Sequence, residues 1–188
     1  MDVAAGTVEP GLIIATMLTS GKVYITDIAE NMVEIARENA IRRSIKNVET
    51  ITAEVSELPF ADNTFDAISC RFGFMFFPDM ELAAKEMVRV LKPGGRIATS
   101  VWNVGEKNFW VTAIMNVIHK NIELPAALPG APGMFRCAAN GFMADLFGNA
   151  GLKNIAETEV AGKLNCGDAE GVLEFHERSG WPCCSGAW

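Results

Sequence analysis

Near its start the chain reads Asp2-Val3-Ala4-Ala5-Gly6-Thr7-Val8-Glu9-Pro10-Gly11. In this order an acid closes a strand, small residues make a turn, and a proline suits the first turn of a helix. Such a turn lets backbone N–H groups and a helix N-terminus approach a ligand with negative or polar oxygens. We therefore expect a binding loop here. Only Met1 precedes the closing acid, so we also expect the first strand to be cut short.

Length and composition predict one principal domain. The chain has 188 residues, 49% of them hydrophobic, which is enough for a single sizeable core. We place this domain at 1–170 and expect an irregular tail at 171–188, which has no periodic pattern and a truncated appearance. The net charge of -7 disfavours a nucleic-acid partner. No apolar run is long enough to span a membrane, and a cytoplasmic location is expected.

The cysteines and histidines predict no metal site. An odd number of cysteines without paired spacing argues against a disulfide framework, so we interpret the cysteines as reduced thiols. With two histidines in the chain, a structural zinc site is not expected. The five cysteines are Cys70, Cys137, Cys166, Cys183 and Cys184.

Strand-like and helix-like periods alternate along the first hundred residues. This alternation predicts an α/β fold, a Rossmann-like doubly wound and mostly parallel sheet with helices on both faces. After the first strand, the expected strands are 22–27, 47–52, 65–70 and 96–102, and the expected helices are 12–18, 29–40 and 79–91. Beyond them we expect a helix at 108–120, a cover rich in proline, alanine and glycine at 124–133, a helix at 139–150 and a sixth strand at 153–160.

Polar residues follow the ends of these strands. Open parallel sheets bind ligands beyond the carboxyl ends of their strands. A carboxylate such as Asp27 can accept both hydroxyls of a ribose, so the ligand is expected to be a nucleoside derivative. Asp27 is also a favoured residue for capping a helix, so the position alone leaves both roles open. A patch of phenylalanines at 72–77 is read as core or subunit contact rather than as a substrate pocket.

Four segments resemble a known enzyme family. They are DVAAGT at 2–7, ITDIAENM at 25–32, ELPFADNTFD at 57–66 and RVLKPGGR at 89–96. Together they resemble the class I S-adenosylmethionine-dependent methyltransferases, most closely the ubiquinone/menaquinone C-methyltransferase (methyltransferase type 11) group. The resemblance covers roughly 2–102. It implies in-line methyl transfer from S-adenosylmethionine to a small molecule.

The resemblance also implies which residues bind the cofactor. The turn after the first strand would contact the methionine part, Asp27 the ribose hydroxyls, and Arg71 would lie near the methionine end. The adenine would be bordered by residues that follow the second and third strands. The full set of implied cofactor contacts is Asp2, Ala4, Gly6, Thr7, Asp27, Ile28, Met32, Glu54, Val55 and Arg71. No catalytic residue is implied, and His119 and Glu106 are guesses for a general base.

The sequence leaves three alternatives open. Val8 stands where the family usually has glycine, and together with the short first strand it fits a truncated or degenerate domain without activity. A nicotinamide-dependent oxidoreductase is also considered, since Gly6-x-Val8-x-x-Gly11 is one substitution from a dinucleotide-binding fingerprint. A thiol- or metalloid-directed methyltransferase is a narrower possibility, based on Cys70, Cys137 and Cys166.

Overall fold

The computed structural model describes residues 1–6, 9–123, 130–163, 165, 168 and 170–171. The predicted contact Thr7 and the unusual Val8 lie outside the described residues, as do most of the predicted cover and of the predicted tail. By internal contacts the chain divides into Met1–Glu157 and Thr158–Trp188. The predicted domain boundary at 170/171 stays a prediction.

The first unit alternates strands and helices as the sequence predicts. Most ends of the predicted elements move by three residues or fewer. The strands are β1 (Asp2–Val3), β2 (Val23–Asp27), β3 (Val48–Thr52), β4 (Phe65–Arg71) and β5 (Leu91–Ser100). The α-helices are α1 (Gly11–Met17), α2 (Glu30–Arg42), α3 (Met80–Val90), α4 (Phe109–Asn121) and α5 (Phe142–Asn149), and short 3₁₀ turns occur at Phe74–Phe76 and Gly105–Lys107.

All five strands are parallel and lie in the order β3-β2-β1-β4-β5. The predicted fold class is confirmed. The short first strand is central: Asp2 is in register with Ile25 on one side and Ser69 on the other. From β1 the chain builds the sheet first toward β3 and then, beginning with β4, in the opposite direction. The strand order therefore reverses between β1 and β4, and a doubly wound sheet binds its ligand at such a point.

Helices cover both faces of the sheet, because neighbouring residues of one strand point to opposite sides. On β2, Val23 and Ile25 pack with residues of α1 and α2, whereas Tyr24 packs against the other face with residues of β4 and α3. The α1/α2 face has Leu12, Ala36 and Ala40 at its centre, and the α3/α5 face is built around Phe74, Met87, Val90 and Phe147. No helix among the described residues is both long and apolar enough to cross a membrane.

The predicted sixth strand at 153–160 is wrong. These residues are exposed and belong to no sheet, and Val160 is 88% exposed. A strand needs a partner and a buried face, and this segment has neither an apolar side nor a ladder. Glu157 of this segment caps α5 instead, since its carboxylate accepts the N–H groups of Gly141 (3.1 Å) and Ala144 (2.9 Å) at the start of that helix.

The fifth strand begins earlier than predicted. Its ladder with β4 starts at Leu91, directly after α3, instead of at Arg96. Phe65 pairs with Leu91 while Ala67 pairs with Arg96, so the four residues between are accommodated as an irregularity in the ladder. Gly94 supports this bend with a φ of +80°.

Candidate functional site

The turn after β1 lies at the point where the strand order reverses. Ala4 and Gly6 both have left-handed backbones, with φ of 50° and 56°. Such a conformation is uncommon for alanine and natural for glycine, and it persists only where the surroundings enforce it. The Ala5 N–H anchors the turn on β2 by donating to the Thr26 carbonyl at 3.1 Å. Apart from the chain neighbours of Gly6, no described residue has an atom within 4 Å of where a Cβ on Gly6 would stand, so the described residues leave this side of the turn open.

Asp27 joins this turn to the next helix. Its Oδ2 accepts the Gly6 N–H at 2.8 Å, and its Oδ1 accepts the Ala29 N–H at 3.0 Å. The first bond fixes the binding turn and the second prepares the start of α2. Each carboxylate oxygen has a further lone pair, and the side chain is only partly buried, so Asp27 can still accept bonds from a ligand's hydroxyls.

The end of β3 reaches the same edge of the sheet. The Ala53 N–H donates to the Asp27 carbonyl at 2.9 Å, which places Glu54 one residue from that contact. Glu54 is partly exposed and accepts the Ser56 hydroxyl at 3.2 Å, whereas Val55 is buried. Met32 in the first turn of α2 is partly buried, and Ile28 is 67% exposed.

The loop after β4 touches the turn after β1. A Cβ added to Gly73 would lie 2.9 Å from the Ala4 Cβ and 2.7 Å from the Cys70 Sγ, so only glycine fits this approach. Arg71, exposed, donates from Nε to the Glu9 carbonyl at 3.1 Å. The structure therefore brings the ends of β1, β2, β3 and β4, where the predicted site residues stand, to one edge of the sheet.

Asp2 links two elements next to the turn after β1. Its carboxylate is fully buried and accepts the Gly11 N–H at 2.9 Å and the Ser69 hydroxyl at 2.5 Å. Burial raises the pKa of Asp2 to about 6, although both of these hydrogen bonds favour the charged form. The side chain is thus used to tie α1 to β4. Its role as a cofactor contact stays a prediction.

Aromatic side chains that the sequence interpretation missed lie at the same edge of the sheet. The ring of Phe72, directly after β4, stacks on that of Trp102, just beyond β5, with centroids 4.5 Å apart and planes 7° apart. Trp110 meets Trp102 edge to face at 5.6 Å. We call these three residues the aromatic wall. The phenylalanine patch read from the sequence divides: Phe74 and Phe77 are core, as expected, but Phe72 belongs to this wall.

The residues considered for acid–base or thiol chemistry differ in their burial. Burial raises the pKa of the Cys70 thiol to about 12, so it is neutral near pH 7 and a poor nucleophile. Cys137 is also buried, and Cys166 lies outside the described residues. His119 and Glu106 are exposed and remain guesses. No metal-binding group of histidine, cysteine or acidic residues occurs among the residues that the structure describes.

Sequence comparison points to one family. A model described as the ubiE/COQ5 methyltransferase family matches residues 1–112. A demethylmenaquinone methyltransferase of Listeria monocytogenes is 39% identical over 99 residues, a match that covers 52% of this chain and 42% of that protein. The chain thus spans less than half the length of this curated relative.

Structural comparison agrees on the fold. A SAM-dependent methyltransferase from Aquifex aeolicus superposes with a TM-score of 0.61 at 25% identity, covering 81% of this chain and 70% of that one. The [4+2]-cyclase SpnF superposes with a TM-score of 0.50 at 29% identity, covering 52% of this chain and 36% of the cyclase. Proteins with this fold thus include one named for a reaction other than methyl transfer.

Proposed function

The chain belongs to the ubiE/COQ5 methyltransferase family, and we propose that it transfers a methyl group from S-adenosylmethionine to a small quinone-type acceptor. The convergence of the β1 turn and Asp27 at the reversal of strand order carries this proposal. The acceptor class follows the name of the Listeria relative, a demethylmenaquinone methyltransferase.

The residues at the strand ends fit the cofactor. The open turn at Ala4 and Gly6 receives the methionine part, and the Asp27 carboxylate accepts the ribose hydroxyls with its remaining lone pairs. Ile28, Met32, Glu54 and Val55 border the adenine. Thr7 stays among the proposed contacts to the methionine part.

Arg71 supplies positive charge near the methionine carboxylate. It is fixed through the Glu9 carbonyl, which lies just before α1.

When bound, S-adenosylmethionine supplies a methyl group on a positively charged sulfur. It would supply this methyl group to the acceptor carbon and keep the S–CH₃ bonding pair on sulfur, while the acceptor would give up a proton to solvent or to a base. The protein's contribution is mainly to hold the two reactants in line and close together. No side chain among the described residues is assigned as the base.

Two of the alternatives from the sequence are less well supported. A nicotinamide-dependent oxidoreductase has no counterpart in the family match, which names a methyltransferase family. A degenerate domain without activity predicts a loosened site, whereas the turn, Asp27 and the Gly73 loop are joined by close contacts.

The buried, unpaired thiols Cys70 and Cys137 agree with a reducing compartment such as the cytoplasm, which we include in the proposal.

Calorimetry with S-adenosylhomocysteine tests the cofactor site. We expect binding by the wild-type protein and at least a tenfold weaker affinity for Asp27→Ala, because the variant removes the ribose acceptor and the bond that fixes Gly6. Asp66→Asn is the matched control, since this exposed acid lies at the opposite end of β4, and its affinity is expected to stay within twofold. NAD should not bind.

Two outcomes would contradict different parts of the proposal. A folded wild-type protein that fails to bind S-adenosylhomocysteine contradicts the cofactor site. Binding without transfer of labelled methyl groups from S-adenosylmethionine to reduced demethylmenaquinone contradicts the reaction and leaves the site in place.

A further inference from the structure

We infer that the aromatic wall of Phe72, Trp102 and Trp110 binds the methyl acceptor by packing against a flat, hydroxylated aromatic ring. This inference rests on the proposed function and names the surface that recognises the acceptor. It excludes saturated or branched aliphatic acceptors of similar size.

The aromatic wall lies beside the proposed cofactor site. Phe72 follows β4 and Trp102 lies two residues beyond β5, so both stand at the carboxyl edge of the sheet, on the same edge as the cofactor turn. Gly73, next to Phe72, approaches Ala4 of that turn so closely that an added Cβ would lie 2.9 Å from the Ala4 Cβ. A ring held at the wall is therefore adjacent to the methionine end of the proposed cofactor site.

The backbone at Phe72 is strained. Its φ of +61° is a true outlier for a bulky residue, and its N–H is held by the Ser100 carbonyl at 2.9 Å. Strained conformations of this kind collect at ligand-binding sites, where the surrounding structure fixes them. Here the result is that an aromatic ring is turned onto Trp102 at the edge of the sheet instead of continuing along β4.

The chemistry of the wall selects its ligand. Parallel stacking of Phe72 on Trp102 and the edge-to-face contact of Trp110 form a surface of flat faces and ring edges, and all three side chains are only partly buried. Aromatic rings prefer such offset and edge-to-face partners. The Arg71 guanidinium carbon lies 5.4 Å from the centre of the Phe72 ring, where its charge would attract an ionised phenolic oxygen on the acceptor.

The test uses 1-naphthol and its saturated analogue decahydro-1-naphthol, titrated into the complex with S-adenosylhomocysteine. We expect the wild-type protein to bind 1-naphthol at least tenfold more tightly than the saturated alcohol. Trp102→Leu should lose about tenfold in 1-naphthol affinity and keep its affinity for S-adenosylhomocysteine within twofold. Phe109→Leu, which changes a 77% exposed aromatic residue beside the wall, is the control and should change neither.

The outcomes separate this inference from the proposed function. Equal affinity for the two alcohols, or a folded Trp102→Leu protein with unchanged 1-naphthol affinity, overturns the wall even where S-adenosylhomocysteine binds. Failure of S-adenosylhomocysteine to bind contradicts the cofactor site, and 1-naphthol titrated into the protein alone then still tests the wall. Should Trp102→Leu not fold, as judged by circular dichroism, Trp110→Leu takes its place with the same expected loss and the same overturning result.

Discussion

The buried carboxylate of Asp2 has a cost that depends on pH. Its pKa is raised from 3.8 to about 6, chiefly because it is removed from water at the centre of the sheet. For an acid with a raised pKa, the folded state binds more protons than the unfolded state between the two values. The free energy of unfolding therefore falls as pH rises through that interval.

Replacing Asp2 by asparagine should remove this dependence. The amide oxygen can still accept the Gly11 N–H, and the amide nitrogen can donate to Ser69. Relative to Asp2→Asn, we expect the wild-type protein to lose about 2 kcal/mol of stability between pH 4 and pH 6.5, from roughly 1.4 kcal/mol per pKa unit. Urea unfolding of both proteins across this range measures the difference.

Asp66→Asn is the control for this measurement. Asp66 is exposed, and its hydrogen bond with Lys92 lowers the pKa of its carboxyl, so its contribution changes only at lower pH. The control should run parallel to the wild-type protein from pH 4 upward. Parallel curves for Asp2→Asn as well would show that the buried carboxylate does not titrate in this range.

Single positions show where prediction from the sequence stops. That Asp27 ends a strand and lies near the small-residue turn could be predicted, since both facts follow from local order. That Asp2 faces Ser69 and that Phe72 stacks on Trp102 could not be predicted, because each pair is joined only by the packing of distant strands. A bulky residue with positive φ gives no local signal either.

Among the elements, α3 and the loop before β4 are joined through one side chain. Arg89 binds both oxygens of Glu86, at 2.7 and 2.8 Å, and also donates to Asp62 and to the carbonyls of Leu58 and Phe60. The planar guanidinium makes this possible because its donors point in fixed directions. The Glu86 carboxylate, only 14% exposed, in turn accepts the Leu58 N–H at 2.9 Å.

Arg89→Lys should loosen this loop while keeping the charge. An ammonium cannot serve both oxygens of Glu86 and two carbonyls at once, so we expect a loss of about 1–2 kcal/mol in the free energy of unfolding. Urea denaturation measures it. Lys92→Gln is the matched control: its pair with Asp66 is exposed on both sides, and such pairs contribute about 0–1 kcal/mol. Equal losses for the two variants would contradict the bridging role of Arg89.

Elements defined by local periodicity were predictable, and those defined by partners were not. The apolar positions of α3, its Asp79 cap and the stop at Lys92-Pro93-Gly94-Gly95 are all within one segment, and the helix is found at Met80–Val90 with Leu82 donating to Asp79. The segment 153–160 has residues suited to a strand but no sheet edge that it joins. A strand pattern specifies a face, whereas the ladder depends on a neighbour elsewhere in the chain.

For the molecule as a whole, the predictable part is the fold class and the meeting of the predicted site residues at one edge of the sheet. The alternation of strands and helices indicates a doubly wound sheet, and the family match over residues 1–112 falls on the part that forms it. Among the described residues, two apolar clusters lie on opposite faces of this sheet, and one of them also includes residues of α5. Whether the two clusters unfold together depends on the sheet that lies between them.

Leu12 and Cys70 allow this to be measured. Leu12 is fully buried on the α1/α2 face, and Cys70 is fully buried in β4, where it belongs to the α3/α5 cluster. Leu12→Ala should cost about 2–5 kcal/mol, as truncation of a buried leucine usually does. If the sheet unfolds as one unit, alkylation of the Cys70 thiol, followed by mass spectrometry of its peptide, should accelerate by the corresponding factor, on the order of 30-fold to several thousandfold.

Ile13→Ala gives the matched control, because this neighbour on α1 is 51% exposed and its truncation should leave the Cys70 rate within a few fold. A large stability loss for Leu12→Ala measured by circular dichroism, with an unchanged Cys70 rate, would show that the α3/α5 face opens independently. The short β1 makes this a demanding test, since two residues pair the halves of the sheet on either side of it. Coupled rates would mean that both faces of the sheet unfold as one cooperative structure. The two residues of β1 and the contacts of Asp2 to Gly11 and Ser69 would then be sufficient to join them.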